Sequence, residues 1–211
     1  MNYLELVNGV LMRLREPSIP TVRVNEDPVV NLVKTFVNDA KRHVEAAHGW
    51  NATRNLWQFG TEAGKPGYTL EQTSGGARIT QVSRTGTSRH MDQWDLRTVI
   101  GQKTGSPWRW AWEGTDDAGN LMIRFDPIPD DVYPISVLGH KSMADLADDT
   151  DELRLPDQPV LYYALALAAR ERGEVGGQTA MELFNMAQQY ISDSIALDAN
   201  LSPTEYTWAV V

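Results

Sequence analysis

Residues 157–169 read DQPVLYYALALAA, and this stretch decides the fold that the sequence predicts. A helix over these residues is apolar almost all round, which is typical of a helix buried among other elements. Asp157 can cap its N-terminus and Gly173 can end it. We therefore expect a central helix that needs apolar partners on several sides.

The predicted partners are helices at both ends of the chain. Near the N-terminus, apolar residues recur at helical spacing before Pro17, and a second helix is predicted between an N-cap at Asp27 and a stop at Gly49. Towards the C-terminus, a fourth helix follows two glycines. Its expected buried face comprises Ala180, Leu183, Phe184, Ala187, Tyr190, Ile191, Ser194, Ile195 and Asp198.

Between the helical thirds the pattern changes to that of β-strands. Tryptophans alternate with other residues over 108–113, and a second alternating run covers 121–125, so we predict a hairpin. A third strand over 133–139 would complete a three-stranded meander. The polar stretch 84–95 predicts an exposed loop. Further candidate strands are 57–59, 68–72 and 79–84.

These elements predict an α+β protein. We expect an antiparallel-type four-helix bundle from the N- and C-terminal thirds, residues 1–49 and 157–201. A mainly antiparallel β-sheet is inserted over 50–156, and a C-terminal tail covers 202–211. The whole chain is predicted to be a single domain, because helices at opposite ends can bury their apolar faces only on one another or on the sheet.

The composition limits the possible classes of function. The 19 lysines and arginines stand against 28 aspartates and glutamates, which gives a net charge of −9. Such a chain cannot hold nucleic acid over its whole surface, because phosphate binding needs clustered cations, although it can face nucleic acid without gripping it. The absence of cysteine excludes disulfides, thiolate metal sites and a cysteine nucleophile. No apolar run approaches the roughly 20 residues of a membrane span, and the N-terminus lacks the basic region of a signal peptide, so we expect synthesis in the cytosol.

The sequence contains no motif of a catalytic or cofactor-binding site. The stretch from Gly60 to Lys65 is one residue too short between its glycines for a phosphate-binding loop, and Pro66 stands where Ser or Thr would reach magnesium. Neither a nucleophile elbow nor a dinucleotide-binding fingerprint occurs. The acidic run 145–152 lacks the spacing of a calcium loop and predicts a solvated connection. We therefore expect no enzyme activity, no cofactor and no metal.

The tryptophan strand allows two interpretations. Alternation puts Trp108, Trp110 and Trp112 on one face of a strand, which favours a role in the core. The same row could instead stack sugar rings or single-stranded bases. Asp116 and Asp117 nearby could serve as a glycosidase carboxylate pair, but adjacent aspartates before Ala-Gly-Asn are more typical of a turn.

The C-terminal tail is either unstructured or a docking peptide. Pro203 separates it from the last helix, and it holds two aromatic residues and two terminal valines. Aromatic side chains dominate interface energies, which favours docking. The residues that we expect to dock are Thr204, Glu205, Tyr206, Trp208, Val210 and Val211.

Several stretches of the chain resemble a known family. They are residues 3–8, 13–16, 36–42, 49–51, 126–130 and 155–156. In these residues the chain is similar to the head-to-tail adaptor proteins of tailed bacteriophages. The Gly-Trp exit of the second helix resembles the tail tubular protein A branch, from short-tailed phages. Residues 84–107 carry no part of this resemblance.

The resemblance implies a structural virion protein and not an enzyme. Adaptors of this family form a dodecameric ring under the portal protein, join it to the downstream tail nozzle protein and line the channel through which genomic DNA leaves. For this chain it implies a homo-oligomer in the neck of the virion, with transient, non-specific passage of DNA and no membrane. It also implies that residues 202–211 dock on the portal protein.

Two other functions stay open at this point. One is a glycan-binding or glycan-cleaving tail component that uses the strand from Trp108 to Trp112. The other is a free-standing cytosolic enzyme, for which the sequence offers no site.

Overall fold

The computed structural model describes residues 1–23, 27–86, 90–100, 103–173 and 178–201. These residues form an α+β protein, as predicted, and they divide into two compact units. Met1–Ala52 and the chain from Asp145 onwards form the first, which we call the helical unit. Thr53–Ala144 form the second, the β unit. Whether the two units make one domain is not decided by this division, so the single-domain assignment stays a prediction.

The helices of the described chain are α1 (Tyr3–Arg13), α2 (Pro28–Ala47), α3 (Leu96–Val99), α4 (Asp157–Glu171) and α5 (Gln178–Ala199). All but α3 belong to the helical unit. α1 begins with a capping box, in which Asn2 Oδ1 accepts from the Glu5 N–H at 2.8 Å and Glu5 Oε2 accepts from the Asn2 N–H at 3.0 Å. Asp27 caps α2 as predicted and accepts from the Val29 N–H at 2.8 Å.

The end of α2 differs from the prediction. The helix ends at Ala47 and is followed by an extended His48, so Gly49 is not a left-handed terminating residue. Trp50 folds back on the helix instead, and its Nε1–H donates to Val44 O at 2.8 Å. This ring is almost fully buried, so the chain leaves α2 around a tryptophan in the core.

α4 is central to the helical unit, as its apolar circumference predicts. It contacts α1, α2 and α5. Its buried residues are Pro159, Val160, Leu161, Ala164, Leu165, Ala166, Leu167, Ala168 and Ala169. α1 approaches α4 closely, because a Cβ on Gly9 would lie 3.0 Å from Leu161 Cδ1. Gly173 ends α4 with a left-handed φ of 63°, whereas the N-cap is Pro156, and Asp157 lies in the first turn without a side-chain cap.

α5 packs against α4 through aromatic rings. Tyr162 stacks on Tyr190 with ring centroids 5.0 Å apart, and Tyr163 meets Phe184 edge-on at 5.2 Å. Every residue of the face predicted to be buried in α5 is buried or half-buried, which confirms that face. None of the helices in the described ranges combines the length and the apolar character that crossing a bilayer requires.

α1 and α4 run in the same direction. At their beginnings, the Leu153 N–H donates to Met1 O at 3.0 Å. At their ends, the Arg172 guanidinium donates to Leu14 O at 3.1 Å. This pair therefore departs from the antiparallel arrangement that the sequence predicts. The connection from α1 to α4 passes through all of the β unit, so nothing obliges these two helices to alternate in direction.

The acidic segment 145–152 is a largely exposed connection between β7 and α4, as its composition predicts, and its carboxylates also bond to neighbouring groups. The Asp149 carboxylate accepts hydrogen bonds from the Thr21 hydroxyl at 2.7 Å and from the Val22 N–H at 2.6 Å. The bond from Val22, followed by that from Thr21, lowers the pKa of Asp149. The segment thus fastens the linker that follows α1.

Asp151 gives the same segment its shape. Its carboxylate accepts from the N–H groups of Ala147 and Asp148 at 2.7 and 2.8 Å, and these bonds lower its pKa. Its backbone oxygen accepts from the Tyr3 N–H at 2.9 Å, in the first turn of α1. The carboxylates that looked like solvating groups in the sequence therefore satisfy backbone donors.

The strands of the β unit are β1 (Arg54–Gly60), β2 (Gly67–Thr69), β3 (Ala77–Arg84), β4 (Asp92–Gln93), β5 (Arg109–Thr115), β6 (Leu121–Asp126) and β7 (Pro134–Lys141). They form two sheets, with the orders β1-β7-β3 and β2-β6-β5-β4. All pairs are antiparallel except β4 with β5. The described chain therefore has two mainly antiparallel sheets where one was predicted.

The predicted hairpin is present, but the predicted meander is wrong. β5 pairs with β6, so that Trp110 lies opposite Phe125 and Trp112 opposite Ile123. β7 does not continue this sheet and pairs with β1 and β3 instead. Pro127 lies between β6 and β7, where it cannot donate to a strand ladder. The other edge of β6 is taken by β2.

Both sheets contribute to one hydrophobic cluster in the β unit. Its buried members are Tyr68, Leu70, Val82, Met91, Trp110, Ile123, Phe125, Ile135 and Val137. Aromatic rings are in direct contact there, with Phe59 stacked on Tyr68 at 5.3 Å and Phe125 at 5.5 Å from Tyr68. Aromatic rings bury a large area each, so these contacts contribute strongly to this core.

Candidate interaction surfaces

The three tryptophans of the predicted strand have different environments. Trp110 is 4% exposed in the core of the β unit. Trp112 is half-buried against that core, and its ring meets Trp110 in a T-shape at 5.5 Å. Trp108 is 47% exposed and precedes β5, which begins at Arg109. Trp110 and Trp112 therefore pack in or against the core, as predicted for the whole row. Trp108 does not, because the strand begins after it.

β4 brings a fourth tryptophan to the same place. It pairs in parallel with β5, and the backbone N–H of Trp94 donates to the backbone oxygen of Trp110 at 2.8 Å. Trp94 is 42% exposed, and its ring meets that of Trp108 edge-on with centroids 6.2 Å apart. We call Trp94, Trp108 and Arg109 the aromatic cluster.

Arg109 holds the two exposed rings of the cluster in place. Its guanidinium carbon lies 4.8 Å from the Trp94 ring centroid and 4.7 Å from that of Trp108. Its Nε–H donates to the buried Asp126 carboxylate at 2.5 Å. Cation–π attraction and a charge-assisted hydrogen bond thus fix both rings before any partner arrives. Rings that are already ordered lose little conformational entropy on binding.

A groove of about 540 Å³ adjoins the aromatic cluster. Its lining residues are Gln93, Trp94, Asp95, Leu96 and Trp112. Two of these side chains are aromatic and two are polar, and the groove is open to solvent.

The sequence analysis missed Trp94 because the stretch 84–95 predicts an exposed loop. The described part of the region from 84 to 107 contains β4 and α3, and both Met91 and Val99 are buried. A strand of two residues is too short to show alternation. Asp95 was the one available signal, since it caps α3 by accepting from the Arg97 N–H at 2.9 Å.

Asp116 and Asp117 form a turn, as their sequence context predicts. Asp116 Oδ1 accepts from the N–H groups of Ala118 and Asn120 at 3.0 and 2.8 Å. Asp117 is exposed. Within the described ranges, no group of three or more histidine, aspartate or glutamate side chains is placed to hold a metal ion.

The helical unit has a basic end, where α1 and α4 both finish. We define the basic end as Arg13, Arg15, Arg170 and Arg172, all of them exposed. Arg172 donates to Leu14 O at 3.1 Å and to the Glu16 carboxylate at 2.5 Å, which ties the ends of the two helices together. Within residues 13–16 and 170–172, the carboxylates are those of Glu16 and Glu171. Met12, at 67% exposure, lies beside the arginines.

The same unit has an acidic end, where α1 begins. We define the acidic end as Asp145, Asp148, Asp149, Asp151 and Glu152. Two arginines pair with it: Arg23 Nε lies 2.9 Å from Asp148, and Arg42 Nε donates to Asp145 at 3.1 Å. Among the described residues, five carboxylates therefore outnumber these two guanidinium groups and the nearby Met1 ammonium, so the end is negative.

The predicted docking tail, residues 204–211, lies outside the described residues. The chain immediately before it can be described. Leu197 and Leu201 are 71% and 72% exposed, at and just beyond the last turn of α5.

Comparison with known proteins places the chain in a family. The model of the SU10 adaptor protein family matches residues 1–206. No curated protein matches the chain. Because the family match covers nearly the whole chain, this protein belongs to the SU10 adaptor protein family, whose members are structural proteins of the phage virion. The expectation of a phage adaptor is confirmed at this level, and the narrower resemblance to the tail tubular protein A branch stays a prediction.

Proposed function

We propose that this SU10 adaptor family member forms a dodecameric ring between the portal protein and the tail nozzle protein, and that the ring lines the channel for genomic DNA. The observation that carries the proposal is the family match over residues 1–206, which spans both units. Placement in the tail tubular protein A-like branch, in the neck of short-tailed phages, is part of the same proposal.

The helical unit supports side-by-side assembly. In the proposal its four long helices form a bundle around α4, which contacts the other three. A helix packed on several sides is stiff, because native cores resist changes of shape. The helical unit therefore supplies the flanks through which neighbouring copies meet, and the β unit supplies loops for the next tail component.

The charge of the chain supports the channel. Each copy carries a net charge of −9. A lumen lined by acidic subunits repels phosphate, so that duplex DNA passes without being held. The contact with DNA is accordingly transient and non-specific.

The C-terminal tail supplies the portal contact in this proposal. Tyr206 and Trp208 are the aromatic anchors, and the exposed Leu197 and Leu201 precede them. Removal of residues 204–211 is expected to leave a folded protein that no longer binds purified portal protein in a pull-down. Undiminished binding by the truncated protein would contradict the assignment of the tail.

The ring itself is tested by imaging. Full-length protein is mixed with purified portal protein, and particles are examined by cryo-electron microscopy alongside intact virions. The expected result is a layer with twelvefold symmetry directly under the portal. Absence of the chain from the neck of the virion, or its presence there without rotational symmetry, contradicts the proposed function.

A second function is favoured by the aromatic cluster. In this alternative the chain binds, or binds and cleaves, glycans through exposed tryptophans. Trp108 and Trp112 belong to the stretch of sequence that suggested it, and Trp94 joins them through β4. Trp110 is too deeply buried to take part. In this alternative a short sugar chain lies along the open groove beside Trp94.

The glycan alternative is tested with a double variant, Trp94→Ala with Trp108→Ala. Wild-type protein and the variant are passed over a glycan array, and bound sugars are then measured by calorimetry. Binding that falls at least tenfold in the variant supports the alternative. Leu56→Ala is the matched control, because Leu56 is an exposed apolar residue of β1 outside the cluster. No glycan binding by the wild type removes the alternative.

A further inference from the structure

We propose that neighbouring copies contact each other through unlike surfaces, with the basic end of one helical unit against the acidic end of the next. This inference rests on the proposed ring and specifies its interface. Its occupant is a second copy of this chain, and the contact is heterologous, because the two surfaces that meet are different.

The two ends lie at opposite termini of α1. Its first turn is bonded to the acidic end, where the Tyr3 N–H donates to Asp151 O at 2.9 Å. Its last turn is bonded to the basic end through Arg172 and Leu14 O at 3.1 Å. An eleven-residue helix is about 16 Å long. That distance exceeds the Debye length of about 8 Å at physiological salt, so the charges of the two ends are largely screened from each other. Each end therefore stays available to attract an opposite charge on another molecule.

The basic end has the composition of a protein interface. Four exposed arginines are accompanied by two glutamates and by Met12, which is 67% exposed. Arginine and methionine are both enriched in protein–protein interfaces. A phosphate backbone offers nothing apolar to cover a methionine side chain, so a protein surface suits this end better than DNA does. The complementary surface must be acidic with room for an apolar side chain.

The chain carries such a surface on the same unit. At the acidic end, Asp148 and Glu152 point carboxylates at solvent, and Asp148 keeps 51% of its side chain exposed despite its bond to Arg23. Asp149 and Asp151 are held by backbone donors, so this end is as ordered as the basic end. Both surfaces therefore exist in their binding form in a single copy.

Contact between unlike ends also reduces the electrostatic repulsion between neighbouring copies. Copies that each carry a net charge of −9 repel one another unless opposite charges meet where they touch. A heterologous contact generates a closed ring when its rotation closes after a whole number of copies, whereas a contact between like surfaces stops at a dimer. The opposite charges at the two ends of the helical unit thus suit the cyclic symmetry of the proposed ring.

Two charge reversals test the interface. The first variant carries Arg15→Glu and Arg170→Glu at the basic end, and the second carries Asp148→Lys and Glu152→Lys at the acidic end. Arg172 is left unchanged because it bonds α4 to the end of α1. The control is Asp193→Lys, an exposed reversal on α5 away from both ends. Circular dichroism melting shows that each full-length variant is folded, and ring formation is then measured with and without portal protein by analytical ultracentrifugation and electron microscopy.

The expected result is a loss of at least tenfold in ring assembly for each variant alone and recovery in an equal mixture of the two, because the reversed ends then complement each other in alternation. Wild-type assembly should also weaken as salt rises.

If the wild type forms rings and both variants assemble as well as the control, this interface is wrong while the proposed function stands. If the first variant assembles normally but binds duplex DNA at least tenfold more weakly in an anisotropy assay, the basic end contacts nucleic acid and the inference is overturned. If the wild type forms no ring on the portal, the proposed function fails and this inference fails with it.

Discussion

The two units of the molecule are stabilised by different kinds of packing. In the helical unit, α4 presents Ala164, Ala166 and Ala168 to its neighbours, and helices approach closely over small side chains. In the β unit, rings such as Phe125 and Tyr68 fill the space between strands. At these alanines the helical core has little room for a larger side chain, whereas the β core depends on the volume of its aromatic rings. Opposite substitutions should damage the two units.

The largest effect is expected in the β unit from Phe125→Ala. Phe125 is completely buried, and truncation of a buried phenylalanine costs about 3–5 kcal/mol of the free energy of unfolding. Urea denaturation followed by tryptophan fluorescence measures the change. Phe125→Leu, which keeps most of the volume, should cost clearly less. Equal costs for the two variants would show that ring volume does not hold this core together.

The converse effect is expected in the helical unit from Ala164→Leu. Ala164 is fully buried in α4, and overfilling a packed core costs typically about 1–3 kcal/mol. The control is Ala46→Leu, at an exposed position of α2, where helix propensity hardly changes. Urea denaturation should separate the two variants. A stable Ala164→Leu protein would mean that the helical core has unused space.

A smaller effect is expected from Trp94→Ala in the aromatic cluster. The ring is half exposed and contacts Arg109 and Trp108, so its loss should lower the free energy of unfolding by less than about 1 kcal/mol. Thermal melting measures the change. A loss as large as that of Phe125→Ala would make the cluster part of the β core, and the argument for a binding surface would fall.

The smallest effect is expected in how the stability of the helical unit changes at acid pH. Hydrogen bonds from Val22 and Thr21 lower the folded-state pKa of Asp149, so the stability that this carboxylate contributes is present above its unfolded pKa of about 3.9. That contribution is lost as the pH falls from there through the lower folded-state pKa. Asp149→Asn should therefore make the free energy of unfolding less dependent on pH below about 4, and Asp193→Asn, at an exposed position of α5, is the control. Denaturation curves from pH 6 to pH 2 decide the matter, and parallel profiles for wild type and Asp149→Asn would refute it.

The helical unit could be predicted from sequence more fully than the β unit. Helix periodicity is local, so the buried face of α5 was found residue by residue, and Asp27 marked the start of α2. The β5–β6 hairpin is local as well. The partners of β7 are not, because β1 and β3 lie more than fifty residues earlier in the chain and no local pattern selects between them and β6.

The candidate surfaces were only partly predictable for the same reason. The sequence pointed to Trp108, but its neighbour Trp94 is brought in by a two-residue parallel strand that leaves no pattern. The acidic run is exposed as its composition predicts, but composition does not reveal that Asp149 and Asp151 bond to backbone donors. Sequence patterns report burial well, and they report pairing between distant segments poorly.

The β unit enters and leaves the fold at adjacent points. Arg54 at the start of β1 pairs with His140 near the end of β7, and the Thr53 hydroxyl lies 3.1 Å from His140 Nδ1. A genetic exchange that replaced this stretch would need only to join two neighbouring ends, without re-routing the chain that leads from α2 to α4. A replacement β unit would therefore need only to bring its two ends together beside each other, and the helical unit could keep its own connections.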